Sequence, residues 1–318
     1  MARCDEFQLQ WYPGHMAKAR RRLEERLRSV DFLIEVADAR APLATRNPEL
    51  DSLAGRRPRL LLLLKGDLAD PQATRAWQDV LEQAVPFGAM ALSLRDPDAP
   101  RRVRGQLRLV ARRILSDRRS PMPGRMAGVA MPRIGQAQAR GMVVGIPNTG
   151  KSSLIRLLGG RAATGDRPGV TRGMQEFRVD PEVLLVDTPG LLWPRSSRGW
   201  TALCLAWLGC AGERAYDAVA AATLLVLWLR THRAGALSSR YALEEERLEP
   251  RALLEQIARA RGRARPGESE AAIGAEILLR EFRTGALGTV TLELPRAQKG
   301  AADGPTRLPD GQPKQQNS

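Results

Sequence analysis

The stretch GIPNTGKS, Gly145 to Ser152, fits the pattern GxxxxGK[ST]; an apolar run precedes it and a helical one follows, which is the context the pattern requires. Such a loop lets backbone N–H groups converge on a β-phosphate, with the positive potential of a helix start behind them. On this reading Asn148, Thr149, Gly150, Lys151, Ser152 and Ser153 wrap a nucleotide's phosphates, Lys151 neutralises β/γ oxygens and Ser152 ligates Mg²⁺. Further on, DTPG follows the run VLLV; Asp187 is placed to hold Mg²⁺ through water and the Gly190 amide to face a γ-phosphate. Between the two motifs lies GDRPGVTRG, whose Thr171 is the well-placed hydroxyl for sensing γ-phosphate and Mg²⁺ from a mobile loop. The chemistry expected is phosphoryl transfer from a nucleoside triphosphate, with Lys151 and Thr171 taking part and Ser152, Thr171 and Asp187 around the metal.

A second stretch, LLLLLKGDLAD at residues 60 to 70, bears on the base. A buried strand ending in Lys65-Gly66-Asp67 resembles a guanine-reading Asn-Lys-x-Asp loop. Asp67 would accept hydrogen bonds from guanine N1–H and N2–H₂, donors that adenine lacks, while the Lys65 stem covers the base and Ser93 sits near O6. Leu64 stands where the asparagine is expected. Leucine cannot tie the base loop to the phosphate loop by a hydrogen bond, so nucleotide binding weaker by about 1–3 kcal/mol is expected. The stretch also precedes the phosphate loop in the chain. In an open α/β sheet ligands bind at the carboxyl ends of the strands, so a base loop need only follow a strand of the same sheet. A circular permutation moves the termini and leaves the loops in place.

These motifs need a sheet to position them. Residues 13 to 30 read as a basic amphipathic helix with Leu23, Leu27 and Val30 on one face. FLIEVADAR is then a strand ending at Asp38, residues 46 to 55 are helical, and the leucine strand precedes a helix at 72 to 83. AMALSL, 89 to 94, reads as a third strand, and 99 to 117 as an arginine-rich helix. Short apolar runs alternating with amphipathic segments predict a mostly parallel α/β sheet. Residues 118–140, rich in Pro, Gly, Met and Arg, read as a flexible basic connector, and GMVVG and EVLLVD as further strands. After residue 195 the pattern is helical. The organisation expected is a nucleotide-binding domain at 1–195, a helical domain at 196–294 and a disordered tail at 295–318.

In 318 residues, fifty Lys and Arg against thirty-five Asp and Glu leave a net charge of +15, which attracts polyanions and makes nucleic acid a candidate partner. Arginine-rich coding bias is the alternative source of that charge. The most apolar stretch, Ala218 to Leu229, falls short of the ~20 residues a spanning helix needs, so no membrane is expected. Three cysteines without a CxxC pair indicate neither a disulfide framework nor a zinc site.

WYPGHMAKA (11 to 19), DFLIEVADARAPLATRNPEL (31 to 50), KGDLAD (65 to 70), GIPNTGKSSLI (145 to 155), RPGVTRG (167 to 173), DTPGLLWP (187 to 194) and EFRTGALGTVTLE (281 to 293) occur in this order. With its base loop before its phosphate loop, the chain resembles the circularly permuted GTPases of the YlqF/RbgA type, which include mitochondrial relatives. The resemblance implies a circularly permuted Ras-like P-loop GTPase domain followed by a small all-helical C-terminal domain. It implies hydrolysis of GTP to GDP and phosphate, late maturation of the large ribosomal subunit, and contact with rRNA and the subunit precursor. Leu191 occupies the place at which Ras-like enzymes carry a water-orienting glutamine. The family's replacement is the histidine of PGHM, His15, with helix capping or RNA contact as the alternative role. Asn148 matches a phosphate-loop asparagine that helps to hold K⁺, so K⁺ is expected beside Mg²⁺. His232 matches no motif and is read as surface. A monomer in the bacterial cytoplasm is expected, since the WYPGHM motif leaves no room for a transit peptide. The alternatives are a non-catalytic rRNA-binding assembly factor whose base loop no longer supports GTP binding, and relaxed specificity with use of ATP, which Asp67 disfavours.

Overall fold

The computed structural model describes residues 4–10, 13–47, 49–55, 57–119, 138–159, 175–187, 198–244, 247–262 and 269–295, with side chains at all of these except 13–18, 118, 119, 175 and 187. Thr171, Gly190, Leu191, the tail beyond 295 and most of the connector therefore lie outside the described residues.

In chain order the elements are α1 (Pro13–Leu27), β1 (Phe32–Asp38), α2 (Glu49–Ala54), β2 (Arg59–Leu64), α3 (Pro71–Ala84), β3 (Ala89–Ala91), α4 (Ala99–Arg119), β4 (Ala139–Val144) and α5 (Lys151–Leu157). They continue with β5 (Gln175–Asp180), β6 (Val183–Asp187), α6 (Gly199–Trp207), α7 (Ala218–His232), α8 (Ala236–Tyr241), α9 (Pro250–Ala260) and α10 (Glu270–Thr284). The six strands form one sheet in the order β3-β2-β1-β4-β6-β5, parallel except for β5 against β6. Strands that are early in the chain thus lie on one side of β4, the strand that feeds the phosphate loop, and late strands on the other. That is the permuted arrangement that the motif order leads one to expect.

β1 and β2 are buried along their whole length, as central parallel strands are. Alternate side chains serve opposite faces: Leu33, Met142 and Val186 join the cluster that includes α1 and the helices after residue 198, while Ile34, Val143 and Leu185 join the one under α4 and α5. α1 ends at Leu27 rather than 30; Leu23 and Leu27 on its apolar face are buried as the spacing predicts, and Val30 is buried just beyond it. Asp70 caps α3 by accepting from the Gln72 and Ala73 amides, with Pro71 at the first helical position.

Two further elements depart from the sequence reading. β5 is not anticipated there; QEFRVD is a short edge strand that needs no continuous apolar run, so it carries little periodic signal. β3 ends at Ala91 rather than 94; the Leu92 amide still donates to the Leu63 carbonyl at 2.9 Å, but its carbonyl goes to the Gly66 amide at 3.1 Å, past the end of β2. His232 also differs: it is half-buried, stacks on Trp228 with ring centroids 4.6 Å apart, and its Nδ1 lies 3.0 Å from the Trp228 carbonyl.

Helices α9 and α10 cross at Gly274, where a Cβ would lie 1.8 Å from the Leu254 carbonyl oxygen. Backbone cannot yield as a side-chain tip does. Gly274→Ala is expected to destabilise the fold by about 3 kcal/mol through forced separation of the two helices, and to lower Tm by ~5–10 °C in a thermal melt.

Candidate nucleotide site

Parallel register brings the carboxyl ends of three strands together: Asp38 at the end of β1 pairs with Leu64 at the end of β2, and Glu35 of β1 with Val144 at the end of β4. The loops after β2 and β4 therefore emerge at the same edge of the sheet, on either side of β1. Gly145 opens the phosphate loop where a Cβ would meet the Val36 carbonyl at 2.6 Å, so the loop can start against β1 only with glycine. Asn148 (φ +60) and Gly150 (φ +107) turn the chain back in left-handed conformations. The Thr149 hydroxyl donates to the Ile146 carbonyl at 2.9 Å and is buried, so this residue offers a ligand its amide rather than its side chain. Lys151 is buried with Nζ 2.7 Å from the same carbonyl, held within the loop. Ser152 and Ser153 are exposed in the first turn of α5.

Lys65, itself left-handed at φ +60, reaches the phosphate loop by donating to the Asn148 carbonyl at 2.8 Å. The two loops are thus joined by residue 65, although residue 64 lacks the asparagine. Leu64 is fully buried and takes another part: its Cδ1 lies 2.9 Å from where a Gly150 Cβ would stand. It closes on the phosphate loop by packing, and a glycine is required opposite it. A hydrogen bond from residue 64 would still add to that contact. Leu64→Asn is expected to tighten GTP binding by about tenfold while lowering the stability of the free protein by about 1–3 kcal/mol, since a polar group enters an apolar site. Titration with GTP beside a melt without nucleotide checks both; unchanged affinity would mean that residue 64 does not align with the asparagine position.

Beyond Lys65 the chain makes a single 3₁₀ turn, Gly66–Leu68. Asp67 is exposed and faces Arg95, with Nη1 3.5 Å from Oδ2. Ser93 is half-buried beside this turn and its Oγ accepts from the Arg95 amide at 3.1 Å. Gly66, Asp67, Leu92 and Ser93 thus form one rim, with Arg95 an additional charged neighbour that the sequence did not single out. Asp187 ends β6, next to β4, and His15 lies in the first turn of α1; the structure describes their backbone only.

Other residues at the site were not anticipated. Asp38 is wholly buried, and its Oδ2 lies 2.8 Å from Lys65 Nζ and 2.9 Å from Arg40 Nη2. Burial pushes its carboxyl up, but the charges of Arg40 and Lys65 outweigh that and hold it well below the usual carboxylate range. The Asn148 side chain donates to the Gly209 carbonyl at 2.6 Å, linking the phosphate loop to the turn after α6. A carboxylate ending a largely apolar strand is the visible signal for Asp38; nothing local marks Gly209.

Residues 140–257 match the family described as 50S ribosome-binding GTPase. The chain is similar to Ribosome biogenesis GTPase A of Priestia megaterium, 37% identical over 90% of this chain and 97% of that one. It is also similar to Mitochondrial ribosome-associated GTPase 1 of Mus musculus, 32% identical over 89% of each. Among solved structures, GNP-bound YlqF from T. maritima superposes with a TM-score of 0.56 at 27% identity, covering 88% of this chain and 99% of that one.

Proposed function

The chain belongs to the ribosome biogenesis GTPase A family and is a GTPase acting in ribosome assembly; from that premise we propose that it binds the precursor of the large ribosomal subunit through rRNA and leaves after hydrolysing GTP. The observation that carries the guanine-specific reading is the meeting of the two loops, with Lys65 donating to the Asn148 carbonyl and Asp67 standing free of the sheet on the rim.

In this reading Asp67 accepts from guanine N1–H and N2–H₂, the Lys65 stem lies along the base, and Ser93 flanks O6. Backbone amides of residues 148–153 hold the phosphates, and Lys151 exchanges the Ile146 carbonyl for β/γ oxygens. Ser152 at the start of α5, Asp187 at the end of β6 and Thr171 are the residues that would hold Mg²⁺, which neutralises charge between the β- and γ-phosphates when bound. Asn148 commits its amide nitrogen to Gly209, which leaves its carboxamide oxygen as a ligand for K⁺. His15, rather than Leu191, is the side chain able to orient the attacking water. The molecule acts as a monomer with residues 1–195 as the GTPase unit and 196–294 as the helical one. Its site of action is the cytoplasm; no helix among the described residues is long and apolar enough to cross a membrane.

For rRNA, the exposed Arg21 and Arg22 of α1 and Arg28 just after it are the favoured contacts. The arginines of α4 are largely engaged, Arg101 with Asp98, Arg102 with Asp96, Arg108 with Asp180 and Arg112 with Glu182.

The test is equilibrium binding of labelled GTP and ATP with Mg²⁺, then phosphate release with and without large ribosomal subunits. GTP-selective binding and subunit-stimulated release are expected. Subunit binding without measurable nucleotide binding would instead identify a non-catalytic assembly factor.

A further inference from the structure

Lys65 sits in a left-handed conformation that a non-glycine residue seldom adopts, immediately before Gly66 and Asp67. Such a conformation persists where surrounding contacts over-determine it. One contact is the Asn148 carbonyl; the other is the buried carboxylate of Asp38. That carboxylate is gripped by Arg40, whose amide and Nε approach Oδ1 at 3.1 and 3.0 Å while Nη2 approaches Oδ2 at 2.9 Å. A planar fork on both oxygens fixes the plane of the carboxylate and hence the direction in which it receives Lys65.

Arg40 has one more partner. Its Nη1 donates to the carbonyls of Arg283 and Phe282, at 3.2 and 3.4 Å, where α10 ends and its dipole is negative. The segment after α10 then runs along the outer side of the base loop: the Leu292 amide donates to the Arg40 carbonyl at 2.7 Å, the Val290 amide to the Leu68 carbonyl at 2.9 Å, and Thr291 Oγ1 accepts from the Asp70 amide at 3.0 Å. The base loop is braced on its inner side by Arg40 through Asp38 and on its outer side by the chain that follows α10.

We propose that Arg40 is a positioning residue for guanine recognition, which orients Lys65 and the base loop through Asp38 and ties them to the carbonyl end of α10. This rests on the reading of Gly66-Asp67 as the base loop. A partner that shifts the end of α10 then alters guanine-nucleotide affinity without touching the nucleotide.

The experiment is equilibrium binding of GDP to the full chain and its variants, with thermal unfolding of each in the absence of nucleotide. Arg40→Gln is expected to weaken GDP binding by about tenfold to a hundredfold. Because Arg40 acts through Lys65, the double variant Arg40→Gln/Lys65→Ala is expected to bind GDP no worse than Lys65→Ala alone. Losses that add, or an Arg40→Gln chain that binds GDP as the unaltered chain does, would overturn the proposal. Arg40→Lys keeps a charge on Asp38 but cannot also span to both carbonyls, so its affinity is expected to fall between the two; it also serves if Arg40→Gln does not fold. Full GDP affinity in Arg40→Lys would remove α10 from the account. Asp67→Asn is the control on the underlying reading: if it leaves GDP affinity unchanged, the base loop itself has been misassigned, whatever Arg40 does.

Discussion

Lys151→Ala is expected to weaken GTP binding by on the order of a hundredfold to a thousandfold, a loss of about 3–4 kcal/mol. The ammonium is buried in the phosphate loop, 2.7 Å from the Ile146 carbonyl, so its removal deletes the positive charge proposed to face the phosphates and leaves that carbonyl without this donor. Among the described residues the neighbouring cations are engaged elsewhere: Lys65 is committed to Asp38 and the Asn148 carbonyl, and Arg40 to Asp38 and the end of α10. Titration with a fluorescent GTP analogue measures the loss. The same variant should bind RNA with its salt dependence intact, because α1 carries the favoured contacts on another element. Loss of RNA binding together with nucleotide binding would show that the two are not separable.

The second large effect concerns the base. In the proposed reading, Asp67→Asn replaces a carboxylate that accepts from both N1–H and N2–H₂ with an amide that sets a donor against the N2 amino group. GTP affinity should fall by about a thousandfold, ~4 kcal/mol, from one lost charged hydrogen bond and one donor-to-donor conflict. The same amide donates to the 2-oxo group of xanthine while its oxygen accepts from N1–H, so xanthosine triphosphate should bind the variant better than GTP does. Competition between the two nucleotides measures the exchange of preference. Equal losses for both would point to collapse of the rim rather than altered reading, a distinction that matters because Asp67 also faces Arg95 at 3.5 Å.

The phosphate loop and the strands that deliver it were legible because their signals are local. A left-handed turn calls for glycine or asparagine, and Gly150 and Asn148 supply it; a strand buried on both faces is an unbroken apolar run, and residues 60–64 are one. β5 was not legible, since an edge strand is under no such demand. Leu64 shows where substitution logic stops. It correctly marks a missing hydrogen bond, yet the tie between the two loops is carried one residue later by Lys65, and leucine instead packs on Gly150.

By itself the sequence determined the order of the motifs, and with it the permuted sheet and the two loops at its carboxyl edge, since each motif states its own backbone and charge within a few residues. Only the tertiary structure decided how those loops are held. Lys65 meets Asp38, Arg40 meets the end of α10 and Leu292, the Leu43 amide meets Glu293, and Asn148 meets Gly209, across separations in the chain that no local pattern encodes. The physical reason is that a buried charge is tolerated only where several partners converge on it, and that convergence is a property of the packed fold.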